Sequence, residues 1–184
     1  MTRGSFWNKG FRPFFLGAAA YAAIAMADWM AVYLLGLPIE LERVSVYQWH
    51  AHNMIFGYAA AVIAGLLLTI VYEWTGLPAA HGPGLAVLFG LWLLARLLTT
   101  DGASFVLFAA GADLAFLAGL LIAIASAFLR VRQQRQAPVI LLLGLFLVAD
   151  LLFWLGAAGW LPDGARLGVH GGLYVALGMV LYMG

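Results

Sequence analysis

Residues 47–58 read YQWHAHNMIFGY and open an apolar run long enough to cross a membrane. His50 and His52 stand two positions apart, with Met54 two further on. Imidazole and thioether groups are metal ligands, and imidazole in particular suits haem iron and copper. On a regular helix, however, residues two apart point to nearly opposite sides. At 100° per residue, His50, Asn53, Met54, Gly57, Ala61 and Ala64 share one face, with Gly65 at its edge. That face is polar at its outer end and small along its length, so another helix or a flat cofactor can approach it closely. His52 falls on the other side with Phe56, Ala59 and Ile63. Either His52 serves a second partner, or the first turn is irregular.

Other ionisable residues interrupt apolar runs: Asp28, Arg96, Asp113, Asp150 and His170. A charge inside a membrane span is costly and marks a functional site by default. Counting about 1.5 Å per residue from the expected outer ends places His50, Arg96 and His170 within about two turns of the surface. The three aspartates lie deeper, at or just outside the midplane, and almost nothing ionisable occupies the inner half. Three readings follow. His50 and His170, at equal depth on different helices, are placed as an axial pair for a b-type haem, with His52 and Met54 close by. Arg96 can instead be a structural partner of Asp113 or Asp150. Or the aspartates and Arg96 line a proton or ion route, which would make the protein a transporter. His81 lies in a loop and reads as solvated. No Ser–His–Asp arrangement, phosphate-binding glycine loop or H-E-x-x-H motif supports metal-free or protease-like catalysis.

The elements that must position these groups follow from composition. Of 184 residues, 65% are hydrophobic and only 9% charged; mean hydropathy is +1.00. A soluble domain carries roughly a quarter charged residues, so the lipid bilayer is the expected partner of this surface. A net charge of +1 supplies no basic stripe for nucleic acid. The absence of cysteine removes disulfides, thiolate metal sites and iron–sulfur clusters. A span needs about 20 apolar residues, and the chain offers six candidates, at about 13–37, 47–71, 84–100, 103–129, 138–160 and 165–184. Their breaks carry turn residues, among them Pro38, Gly76-Leu77-Pro78, Asp101-Gly102 and Pro162-Asp163-Gly164. The expected fold is all-α and polytopic, one bundle of antiparallel hairpins.

Arg3, Lys9 and Arg12 precede the first span, and Arg130, Arg132 and Arg135 separate the fourth and fifth. By the positive-inside bias both ends are cytoplasmic. The N-terminal stretch resembles a secretory signal up to Ala25-Met26-Ala27, but its apolar run continues to about Leu37, and it is read as a retained helix. The chain ends while still apolar, at GMVLYMG, which suggests part of a longer protein.

Several motifs together resemble the NnrS family of polytopic membrane proteins. They are Gly10-Phe11-Arg12-Pro13-Phe14-Phe15-Leu16, then Trp49-His50-Ala51-His52-Asn53-Met54 with Phe56-Gly57, and Ala64-Gly65 through Thr69. Trp74-Thr75-Gly76 and Leu91-Trp92-Leu93 with Arg96 complete the set. The resemblance runs over most of the chain and is clearest in residues 10–100. It implies an inner-membrane protein containing haem and copper, linked to nitric oxide and nitrosative stress. Family members have about a dozen spans, so these six correspond to an N-terminal half whose partner is the other half or a second copy. The resemblance also carries over His50 and His52 as candidate metal ligands and leaves a redox partner open; His170 is added from depth alone. Asn53 stands where the family commonly has Glu, and Glu73 where Asn often precedes Trp-Thr-Gly. The first departure removes a carboxylate that could orient a ligating histidine.

Overall fold

A computed structural model describes residues 11–36, 43–99, 105–131 and 136–183. Among the described residues six helices are long and apolar enough to cross a membrane: α1 (Phe11–Leu35), α2 (Val46–Thr75), α3 (Gly82–Thr99), α4 (Val106–Val131), α5 (Ala137–Ala157) and α6 (Gly164–Met183). Among the described residues there is no strand. The protein is an all-α polytopic membrane protein, as its composition requires. Arg3, Lys9, Pro38, Asp101, Gly102, Arg132, Arg135 and Gly184, on which the orientation and several expected breaks rest, lie outside the described residues.

Local chemistry sets the helix ends. Ser45 caps α2: its Oγ accepts from the Gln48 N–H at 3.2 Å, while Gln48 Oε1 accepts from the Ser45 N–H at 2.9 Å. Gly76 ends α2 in the left-handed region (φ +69°) and donates to Tyr72 O at 2.8 Å. Pro83 and Pro138 sit in the first turns of α3 and α5, where a missing N–H costs nothing.

α2 is the axis of the bundle. Of its most apolar stretch 61% is buried, against 11% for α1. Its middle departs from α-geometry: Asn53–Ala59 form a π-helical segment, a widened turn that occurs often at functional sites. The first turn after His52 is therefore irregular, one of the two outcomes the histidine spacing demands. The small face of α2 is filled by its neighbours. The Tyr21 ring and the Arg96 guanidinium lie over Gly57, and Phe14 and Phe15 lie over Gly65. On this stretch the partner of the small stripe is another helix, not a flat cofactor.

α6 presses equally closely on α5. Gly164, Gly168 and Gly172 recur every fourth residue, a small-residue seam of the kind that joins helices in lipid. A Cβ at Gly168 would sit 2.5 Å from Phe153 N and 2.6 Å from Ala149 O. The outer surface is apolar, with Leu34, Phe108, Leu129 and Leu181 among its exposed side chains.

Candidate functional site

Four buried ionisable side chains from four helices meet at one end of the bundle. His52 lies about 9 Å along α2 from its start, and Arg96 about 5 Å from the end of α3. Asp113 lies about 11 Å into α4, and Asp150 about 11 Å from the end of α5. Alternating helix directions make these the same end, and the depth count from sequence puts Arg96, Asp113 and Asp150 in that one half, Arg96 nearer the surface.

Each is 2% exposed or less. His52 Nε2 lies 3.0 Å from Asp150 Oδ1, within hydrogen-bond distance, and 3.6 Å from Asp113 Oδ2. Asp113 Oδ2 accepts from Arg96 Nη2 in a buried ion pair. The Arg96 guanidinium also stands over the Tyr21 ring, 5.7 Å from its centroid. One ligand atom each from His52, Asp113 and Asp150 fall within 4.8 Å of one another.

Aromatic rings fix the imidazole. It stacks on Phe153 (centroids 3.9 Å apart, 19° between planes), meets the edge of Trp154 at 5.0 Å and leans on Phe56 at 5.1 Å. In the wide turn, Gly57 O accepts from the Trp92 indole at 2.9 Å, a bond that ties the π-segment to α3.

The structural-pair reading explains Arg96 and Asp113 but not the whole cluster. One guanidinium against two carboxylates leaves one negative charge over when the imidazole is neutral. Asp113 Oδ1 and Asp150 Oδ2 are buried with no hydrogen-bond partner. A buried acceptor without a donor costs about 1–3 kcal/mol, more when charged. A proton or a metal cation answers that deficit.

The remaining sequence candidates share the level but not the site. His50, half-buried, stacks on Trp29 of α1 with centroids 4.3 Å apart, and its Nδ1 has no partner. His52 turns the other way, towards α5, so the two histidines serve different partners. His170 is exposed, its Nδ1 2.7 Å from Arg166 O on its own helix, and shares no described contact with His50. Asp28 and Met54 are half-buried and outside the cluster. Sequence reasoning named all four cluster residues but gave the inward role to His50. The missed signal is the bulky stripe Trp49, His52, Asn53 and Phe56, at i, i+3, i+4 and i+7.

The packing decides which cofactors this site admits. A void of about 10 Å³ bounded by Trp49, His52, Phe153 and Trp154 has room for one water at most, so the surroundings of His52 do not fit a haem. One imidazole and two carboxylates without sulfur do fit a copper(II) ion, and they suit soft copper(I) poorly.

A family model described as NnrS protein matches residues 5–184, nearly the whole chain. No curated protein and no solved structure matches.

Proposed function

We propose a function from the premise that this chain belongs to the NnrS family: it is an integral membrane protein of the response to nitric oxide and nitrosative stress, and it works by holding a redox metal. The single observation that supports this best is an imidazole clamped between two carboxylates in an apolar bundle, with a charge deficit no protein group fills. Copper, when bound, supplies one-electron chemistry. The chain's own residues hold the ligand atoms, exclude water with Phe153 and Trp154, and balance charge through Arg96. Haem belongs on this reading at the perimeter, where His50 stands pinned on Trp29 with an unpartnered nitrogen and His170 is open to a neighbour. We place the protein in the inner membrane, with the cluster at the periplasmic side and both ends of the six-helix unit cytoplasmic.

Purified protein from native membranes would be assayed for copper and for a haem Soret band, and cells lacking the gene would be challenged with nitric oxide. Metal in the protein, and sensitivity of the deletion cells that the wild-type gene reverses, are expected. Colourless, copper-free protein together with unaltered tolerance refutes the reading. The unpaired Asp150 oxygen favours a second reading, ion-coupled transport. It predicts proton uptake in proteoliposomes that is lost in Asp150→Asn, with no bound metal.

A further inference from the structure

We infer that His52, Asp113 and Asp150 form a three-ligand site for a single divalent first-row transition ion, with a further coordination position left for a small exogenous ligand. This deepens the metal-holding reading by naming the ligand set and the ion class, and it would stand even if nitric oxide were not the physiological signal.

Geometry comes first. Ligand atoms about 2.0–2.1 Å from an ion lie about 3.3 Å apart around a tetrahedron and about 2.9 Å apart at neighbouring octahedral corners. The observed edges from His52 Nε2, 3.0 Å and 3.6 Å, bracket the tetrahedral value. Closing onto an ion along both edges takes sub-ångström shifts.

Supply of donors is the second point. Asp113 Oδ1 and Asp150 Oδ2 are buried and unpartnered, so each carboxylate has a free oxygen; Asp113 Oδ2 stays with Arg96, while an ion on His52 Nε2 replaces the hydrogen bond that nitrogen shares with Asp150 Oδ1. Buried carboxylates are stable when paired or when they coordinate a metal.

Charge sets the stoichiometry. The cluster carries one net negative charge, so a divalent ion with one anionic ligand, such as hydroxide, makes it neutral in its apolar setting. Three protein ligands with one position open is the arrangement of reactive rather than structural metal sites. Arg96 acts here as a positioning residue: it holds Asp113 and cancels one carboxylate charge, so the site takes one ion rather than two.

Cobalt(II) titrated into the purified full chain in detergent is the probe, because its visible bands report coordination number directly. We expect one equivalent to bind, with the strong absorption of a four- or five-coordinate site and a higher melting temperature. Loss of a mere supporting partner lowers metal affinity about 10–100-fold. His52→Ala, Asp113→Asn and Asp150→Asn, which remove direct ligands, should each lower it by about 100-fold or more. His81→Ala, in an exposed loop, should leave it unchanged. Wild-type protein that gives neither bands nor thermal shift overturns the assignment, and that test needs no variant to fold. Binding that survives Asp150→Asn in a folded variant also overturns it. Cobalt bound through the triad by protein whose gene loss leaves nitric oxide tolerance intact would uphold the site and refute the proposed function alone.

Discussion

Arg96 and Asp113 form a buried pair whose worth can be measured as a coupling rather than a sum. Arg96→Met leaves two carboxylates facing one imidazole in an apolar interior, and Asp113→Leu leaves a buried guanidinium with Nε and Nη1 already lacking acceptors. Removing one partner of a buried pair costs about 3–5 kcal/mol, because the survivor remains uncompensated. Replacing both with apolar groups of similar volume is close to neutral. The double variant should thus be more stable than the singles predict by about 3 kcal/mol or more, a coupling as large as contacting residues usually show. Reversible unfolding in mixed micelles, with denaturing detergent as the variable, reads all four proteins on one scale. Single losses that add to the double within about 0.5 kcal/mol would mean independent sites. The charge-balanced cluster, and the account of Asp150 built on it, would then be wrong.

Further expectations follow from separate contacts. Gly168→Ala forces a Cβ against the α5 backbone beside Asp150 and should destabilise the bundle by about 1–3 kcal/mol, read in the same unfolding assay. Trp92→Phe removes the donor to Gly57 O and should cost about 1–3 kcal/mol, with faster amide exchange across residues 53–59. If purified protein carries haem, its Soret band should survive His52→Ala and be lost in His50→Ala; the reverse pattern would place the haem where the packing leaves no room.

The fold was legible from sequence because it rests on one-dimensional quantities: apolar run length, breaks at Gly76 and Pro162, and depth counted along each helix. Depth alone put Arg96, Asp113 and Asp150 in one half of the bilayer, Arg96 nearer the surface than the two aspartates. Facing was less legible, since it needs the helical phase, and the phase of α2 slips in the π-segment at Asn53–Ala59. A wheel drawn at a constant 100° joined His50 to Gly57 and Gly65, and all three do face α1, through Trp29, Tyr21 and Phe14; what the wheel hid is that the opposite side, with His52, carries the buried cluster. Enclosure was hidden as well. An axial helix buries both sides, so a polar residue opposite the small stripe can be as deeply covered as one on it. Asp28 and His170 share the level of the cluster, but nothing in a count along the chain tells inward from outward.

The cluster draws on four successive spans, which imposes an order on its assembly during synthesis. Asp113 follows Arg96 by 17 residues, so α3 and α4 can leave the translocon as a hairpin whose opposite charges neutralise each other on entry. Unpaired, a charge costs up to about 2.5–3.5 kcal/mol at the centre of a span and less towards its end, where Arg96 lies. Asp150 arrives 98 residues after His52, by which time α2 is already in lipid. The nascent chain therefore carries an imidazole without its final neighbour until α5 inserts, and closing that last contact locks the axial helix in place.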